Sequence, residues 1–241
     1  MHVCLVLPVH NEELVLKKNL GQIVEALKGY PAVQWEVVIA DNGSTDSTRQ
    51  IAKKFIQQQR GCLITLRSTP TAGRGNALRD AWEQSEADWY FYMDIDLAVD
   101  LNDLATMVPL LHNTNIDGII GSRYLEKASV HRQWHRTVLS VVYNTMTRWI
   151  LQLHLTDTQC GWKAFRRNVI VETLPFVQNT HWFFDTELLV LATRQNKTIV
   201  EMPVHWVDKR DDRRKSKVNI MMDVLLFLIK MMGLRLRLFL G

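Results

Sequence analysis

The strongest constraint on the fold is a repeated unit: a short apolar run, a polar or glycine-rich break, then a helical stretch. Residues 3–8 are apolar, His10-Asn11-Glu12-Glu13 breaks the run, and 14–27 have helical periodicity. Residues 35–40 repeat the pattern, ending at Asp41-Asn42-Gly43-Ser44-Thr45-Asp46 before a helix to about Gln58. A third strand is expected at 62–66, a third helix at 77–86, and a fourth strand at 89–93. Alternation of this kind implies a mostly parallel sheet with helices on both faces, an α/β Rossmann-like fold. Ligands of such sheets bind outside the carboxyl ends of the strands.

Those ends are all polar or glycine-rich here: 8–12, 41–46, 71–76 and 94–96. They are expected along one rim. The fourth strand, Trp89-Tyr90-Phe91-Tyr92-Met93, ends at Asp94-Ile95-Asp96. Residues i and i+2 of an extended segment share a side, so the two carboxylates can converge on a hard cation such as Mg2+ or Mn2+. An isolated Asp-x-Asp can also begin an ordinary polar turn; the three neighbouring edges argue for a site. Asp41 is placed to accept hydrogen bonds from a base or ribose, and Gly73-Arg74-Gly75-Asn76 joins pliable backbone to a guanidinium suited to phosphate. Neither the dinucleotide glycine fingerprint nor a phosphate-loop Gly-Lys-Ser/Thr follows the first strand.

Further on, a helix is expected at 101–111, a strand at 118–122 leading to Arg123, helices at 138–153 and 184–193, and a strand across 198–206. Residues 157–163, Asp-Thr-Gln-Cys-Gly-Trp-Lys, read as too polar for core. The formal net charge is only +4, but six of the nine residues from 209 to 217 are Lys or Arg, a segment that calls for an anionic partner. This charge is local and not spread over an aromatic-bearing face, so nucleic acid is not the expected partner. Cys4, Cys62 and Cys160 form no Cys-x-x-Cys pair, which points away from a disulfide framework or thiolate zinc and towards a reducing compartment. The first strand begins almost at Met1, so no leader is expected. Residues 220–240 are long enough to span a bilayer but carry Asp223, Lys230, Arg235 and Arg237. At heptad spacing, Asp223, Lys230 and Arg237 would form a polar stripe with Arg235 and Arg237 near headgroups. The alternative is a helix packed on the domain or on another subunit. The expected division is a catalytic domain over 1–217 and an amphipathic helix over 218–241.

The runs Leu7-Pro8-Val9-His10-Asn11-Glu12, Asp41 to Asp46, Gly73-Arg74-Gly75-Asn76-Ala77 and Asp94-Ile95-Asp96-Leu97 resemble the inverting family 2 glycosyltransferases of GT-A fold. Gly121-Ser122-Arg123-Tyr124, the 157–163 segment and Trp182-Phe183-Phe184-Asp185-Thr186-Glu187-Leu188 resemble the dolichyl- and polyprenyl-phosphate glucosyltransferase branch. The resemblance implies a nucleotide sugar held by Pro8, Asn11, Glu12, Asp41 and Arg74, and a divalent metal on Asp94 and Asp96. It implies a lipid phosphate held by Arg123 and Arg136, with Arg213 and Lys217 closing over the diphosphate. Asp96, Asp157 and Arg123 are the expected catalytic group; Asp157 could serve as a base, orient the acceptor, or cap its own turn. Relatives usually carry Lys where Arg74 stands, and often Ser or Gln where Ala98 stands. The implied reaction moves a hexose, glucose from UDP-glucose, onto a polyprenyl phosphate with inversion at the cytoplasmic membrane face. Peripheral membrane contact is expected, through the tail, residues 138–153, a membrane partner protein or a homo-oligomer. Alternatives are GDP-mannose as donor, another acceptor, or a silent nucleotide-sugar-binding subunit.

Overall fold

The computed structural model describes residues 1–59, 63–69, 73–131, 134–208 and 220–240. In chain order these form β1 (His2–Val9), α1 (Leu16–Lys28), β2 (Gln34–Asp41), α2 (Thr48–Gln58), β3 (Leu63–Ser68), α3 (Arg74–Glu83) and β4 (Trp89–Met93). A 3₁₀ turn (Leu101–Asp103) and α4 (Leu104–Leu111) lead to β5 (Gly118–Ser122), β6 (Ser129–His131) and α5 (Trp134–Leu151). The chain continues through β7 (Trp162–Arg166), α6 (Arg167–Thr173), a second 3₁₀ turn (Leu174–Phe176), α7 (Phe184–Arg194), β8 (Ile199–Pro203), β9 (His205–Val207) and α8 (Ile220–Leu240).

The main sheet has seven strands in the order β3-β2-β1-β4-β7-β5-β8. Pairing is parallel except around β7, which runs antiparallel to both β4 and β5. The carboxyl ends of β1 to β4 therefore share one edge, as expected. β6 and β9 form a separate parallel pair. Alternate residues of the central strands feed two cores: Leu5, Leu7, Val37, Ile39 and Phe91 with α1, α2 and α4 on one face, and Val6, Val38, Tyr90 and Tyr92 with α3, α6 and α7 on the other. Burial on both faces explains why these strands read as continuous apolar runs. Each such side chain contributes about 1.5–3 kcal/mol relative to exposure.

The structure departs from the sequence expectation in one segment and chooses between two alternatives in another. Residues 157–163 are not surface: Asp157, Thr158, Trp162 and Lys163 are fully buried, and the segment enters the central strand β7. Asp157, Thr158 and Lys163 are buried with hydrogen-bond partners for their side chains, which periodicity cannot reveal. On the tail helix, of the two readings left open, packing on the domain is what the described residues show for its arginines; the Asp223 side chain lies outside them. Arg237 donates to the buried Glu187, and Arg235 donates to Gln152 at 3.0 Å. Helix α8 packs on α5 through Tyr143 and Phe227, whose rings meet edge to face at 4.9 Å, and through buried Met231 and Leu234. No helix among the described residues is long and apolar enough to cross a membrane.

Candidate active site

The rim is built edge by edge. After β1, Asn11 takes a left-handed conformation (φ 56°), which Asn tolerates better than most residues. Its side-chain oxygen accepts the Thr45 N–H at 2.8 Å, its own N–H donates to Ser44 Oγ at 3.0 Å, and the Glu12 N–H donates to Thr48 Oγ1 at 2.8 Å. The first two strand ends are thus zipped together. Asp41, fully buried at the end of β2, accepts from the Ser44 N–H, from Ser68 Oγ and from Arg49. Burial alone would raise its pKa, but the Ser44 and Arg49 donors hold it below the usual carboxylate value. Asp41 shapes the 41–48 loop, and Pro8 sits beside it in register with Ala40.

The third edge opens α3. Gly73 has φ +154°, and a Cβ on it would collide with the Thr180 carbonyl; one on Gly75 would lie 2.8 Å from Phe184. Glycine at both positions lets the helix start against the 180–184 segment. Arg74 is thereby delivered into the interior, where it donates to Asp185 at 2.5 Å and to Asp94 at 2.9 Å. Its guanidinium lies 4.9 Å from the Tyr92 ring centroid and 5.4 Å from that of Trp182. Burial opposes the charge, but Asp185 and Asp94 hold Arg74 protonated and raise its pKa.

A buried polar group supports this arginine. Tyr92 donates to Asp185 at 2.6 Å, while Lys163 donates to Tyr92 at 2.9 Å and to the Cys160 carbonyl at 2.5 Å. Desolvation would raise the Asp185 pKa, but Arg74 and Lys163 outweigh it and hold the carboxylate ionised. Lys163→Met would keep the volume and remove both donations. We expect a loss of about 1–3 kcal/mol in denaturant unfolding, and an unchanged midpoint would show that these bonds contribute nothing net.

Asp94 and Asp96 follow β4. The Asp94 N–H donates to the Gly161 carbonyl at 3.1 Å, and a Cβ on Gly161 would overlap the Asp94 carboxylate itself. The glycine leaves a cradle sized for that carboxylate. Asp96 accepts the Ala98 N–H at 3.0 Å, closing a turn in which Leu97 has φ 54°. Two carboxylates supply hard oxygen donors and no third acidic, His or Cys group joins them among the described residues. Residues 95–96 form a turn and not the extended segment expected, so the pair is not placed on one side by strand geometry; the two carboxylates are still of the hard oxygen type that a Mg2+- or Mn2+-like cation takes, with remaining ligands from phosphate and water.

A second buried charged pair centres on Arg123, just after β5. Asp157 receives Arg123 Nε at 2.7 Å, its Nη2 at 2.8 Å and its backbone N–H at 3.1 Å, while the Gln159 N–H takes a further site at 3.1 Å. Burial would raise the Asp157 pKa, but Arg123 outweighs it and holds the value below the usual carboxylate range. All four of its lone-pair directions are engaged. Asp157 is therefore a turn cap and an anchor for Arg123, and such a carboxylate is a poor proton acceptor. Arg123 also approaches the Trp206 ring, 5.8 Å from its centroid.

One loop holds both halves of the site. Residues 156–161 carry Asp157 at one end and Gly161 at the other. The loop is fixed by Glu201, which accepts the Thr156 and Asp157 N–H groups at 2.9 and 3.2 Å, and by Asn144, which accepts the Thr158 N–H at 3.1 Å. The Arg136 side chain, Arg213 and Lys217 lie outside the described residues. Cys4 and Cys160 are buried and free, their thiols pushed up to about 12 chiefly by desolvation. Sequence reasoning missed Tyr92, Asn144, Lys163, Asp185 and Glu201 as site-building residues. Their visible signal was a polar residue amid apolar ones, clearest for Lys163 in Trp-Lys-Ala-Phe and Asp185 after Phe183-Phe184.

Comparison with known proteins gives this geometry its relatives. AglD of Haloferax volcanii, a glycosyltransferase, is 34% identical over 226 residues, covering 93% of this chain and 35% of that protein. The dolichyl-phosphate beta-glucosyltransferase of Saccharomyces cerevisiae is 28% identical over 218 residues, covering 83% of this chain and 65% of the yeast enzyme. The chain thus spans only about a third and about two thirds of these relatives. Glucosyl-3-phosphoglycerate synthase of Mycobacterium tuberculosis, solved with Mn2+, UDP and glucosyl-3-phosphoglycerate, shares the fold with a TM-score of 0.64 at 19% identity, covering 96% of this chain and 80% of that one. The family model for glycosyl transferase family 2 matches residues 4–174, from β1 through the rim and the 156–161 loop into the second 3₁₀ turn, and the chain belongs to that family.

Proposed function

We propose that this chain is a metal-dependent inverting glycosyltransferase that moves glucose from UDP-glucose to a polyprenyl phosphate. The observation that carries the reading is the 156–161 loop, which ties an acidic, metal-suited site at Asp94 to a buried, charge-fixed arginine at Arg123. The yeast relative's name supplies the sugar and the lipid class.

Pro8, Asn11, Glu12 and Asp41 form the nucleoside end of the donor site, and Arg74 faces the diphosphate. Arg123, with Arg136, holds the acceptor phosphate, and Arg213 and Lys217 contribute positive charge for the departing diphosphate. An acceptor phosphate has a second pKa of about 6 and is largely dianionic near neutrality. It needs no base, in keeping with an Asp157 whose lone pairs are all engaged. Its oxygen attacks the anomeric carbon as the bond to the diphosphate breaks, so the α-linked donor gives a β-linked lipid-phosphate glucose and UDP. A divalent cation on Asp94 and Asp96 would neutralise the leaving diphosphate. Arg123 supplies orientation, since its guanidinium cannot rotate away from Asp157 without abandoning a buried bidentate pair. We place the enzyme at the cytoplasmic face of a membrane, attached peripherally.

The test is transfer of radiolabelled sugar from UDP-glucose, UDP-galactose and GDP-mannose into detergent-dispersed polyprenyl phosphate, with Mn2+, with Mg2+ and with chelator. Metal-dependent label from UDP-glucose is expected in the organic phase. Label from GDP-mannose alone would overturn the donor, and metal-independent transfer would overturn the role of Asp94 and Asp96.

A further inference from the structure

Helices α5 and α8 pack side by side, yet each leaves an apolar face uncovered. On α5 the exposed residues include Val138, Val141, Val142 and Trp149; on α8 they are Leu226, Ile229, Met232, Leu236 and Phe239. The spacing on α8 is three or four residues throughout, which keeps these side chains on one side of the helix. Trp149 is 87% exposed and Phe239 83%, so two large rings stand clear of the protein. Isolated exposed apolar residues are ordinary, but a set shared by two touching helices marks a contact surface.

Charge identifies the occupant. The two helices contain Arg136, Arg148, Lys230, Arg235 and Arg237 against a single carboxylate, Asp223, in a chain whose whole formal charge is +4. The 209–217 segment that leads into α8 adds six Lys or Arg against two Asp. Arg237 is neutralised by Glu187, whereas among the described residues Arg235 donates to the neutral Gln152, and Arg148 is exposed beside Trp149. A second copy would bring the same positive surface against this one, whereas an anionic lipid surface complements it. Neither helix, over its described residues, is long and apolar enough to cross a bilayer.

We infer that the exposed faces of α5 and α8 together dock the protein flat on a bilayer bearing anionic headgroups, with Trp149 and Phe239 inserted at headgroup depth. This deepens the proposed peripheral attachment and rests on that reading.

The experiment is co-sedimentation of the full chain with phosphatidylcholine vesicles, with and without about 30 mol% phosphatidylglycerol, for the wild type and for Trp149→Gln/Ile229→Gln/Phe239→Gln. Wild-type protein should bind the anionic vesicles, release them at high salt, and bind neutral vesicles weakly. The variant should lose on the order of tenfold or more in vesicle affinity, with its UDP affinity and thermal midpoint unchanged. Trp149→Gln alone should give a smaller loss in the same direction. Equal binding by wild type and variant, or no preference for anionic lipid, would overturn the inference. So would a variant that turns a dimer into a monomer while keeping its vesicle affinity, because the face would then belong to a second copy. Transfer to detergent-dispersed acceptor is independent of this result: vesicle binding without transfer would remove the proposed function, and transfer without vesicle binding would remove this surface.

Discussion

Gly161→Ala is expected to lower transfer by on the order of 10²–10³ in kcat, although the residue carries no side chain. Its missing Cβ is the space that the Asp94 carboxylate occupies, and its carbonyl accepts the Asp94 N–H. An added methyl must displace either the carboxylate or the backbone between Cys160 and Trp162. That backbone is pinned by Lys163 at the Cys160 carbonyl and by the pairing of Trp162 with Met93. The carboxylate will therefore yield. Overpacking of this sort costs about 1–3 kcal/mol in stability, so the variant should fold. The loss should appear as a rise in the Mn2+ concentration needed for transfer, with UDP affinity in the absence of metal little changed. Combining it with Asp94→Ala should add almost nothing, because both changes remove the same ligand. Near-wild-type transfer by Gly161→Ala would remove Asp94 from the metal site.

Asp157→Asn is expected to be the most destabilising change in the site, at about 3–5 kcal/mol. The buried Arg123 would keep its charge while an amide donor faced its own N–H groups. Adding Arg123→Met should restore much of the stability and none of the transfer. The pH dependence has a definite sign. Asp157 has a folded pKa depressed by Arg123, so its stabilisation is fully present above its unfolded value of about 3.9 and is lost as pH falls through the lower folded value. Wild-type acid unfolding should carry this component, and Asp157→Asn should lack it. If the acceptor phosphate is its own base, the acid limb of the transfer rate should follow its ionisation at about pH 6 and survive in whatever activity Asp157→Asn retains. Loss of that limb would make Asp157 the base, and an unaltered denaturation midpoint would undo the buried-pair account.

Much of the rim could be read without coordinates because its determinants are local. A strand that ends in Asp94-Ile95-Asp96, and a break at Gly73-Arg74-Gly75-Asn76, announce themselves by residue type and spacing. The α/β alternation and the shared edge of β1 to β4 follow from apolar runs and the connectivity of parallel sheets. The start of α3 was expected three residues late, because Gly75 and Asn76 have low helix propensity. Their packing against residues 180–184 overrides it.

Partnership was not legible. Whether 157–163 is surface or core depends on Glu201, Asn144 and Asp185, which lie far along the chain and satisfy its polar groups only after folding. The same holds for α8: its sequence admits a polar stripe facing headgroups, but Glu187 draws Arg237 inward and leaves apolar residues outside. Periodicity records which residues share a side of a strand or helix. It does not record which side meets a partner, because a buried charge is tolerable only when an opposite group from elsewhere in the chain arrives to pair with it. The sequence alone determined the strand-helix order, the rim and its carboxylates. Tertiary structure decided that Asp157 holds Arg123, that Gly161 cradles Asp94, and which face of the last helix remains uncovered.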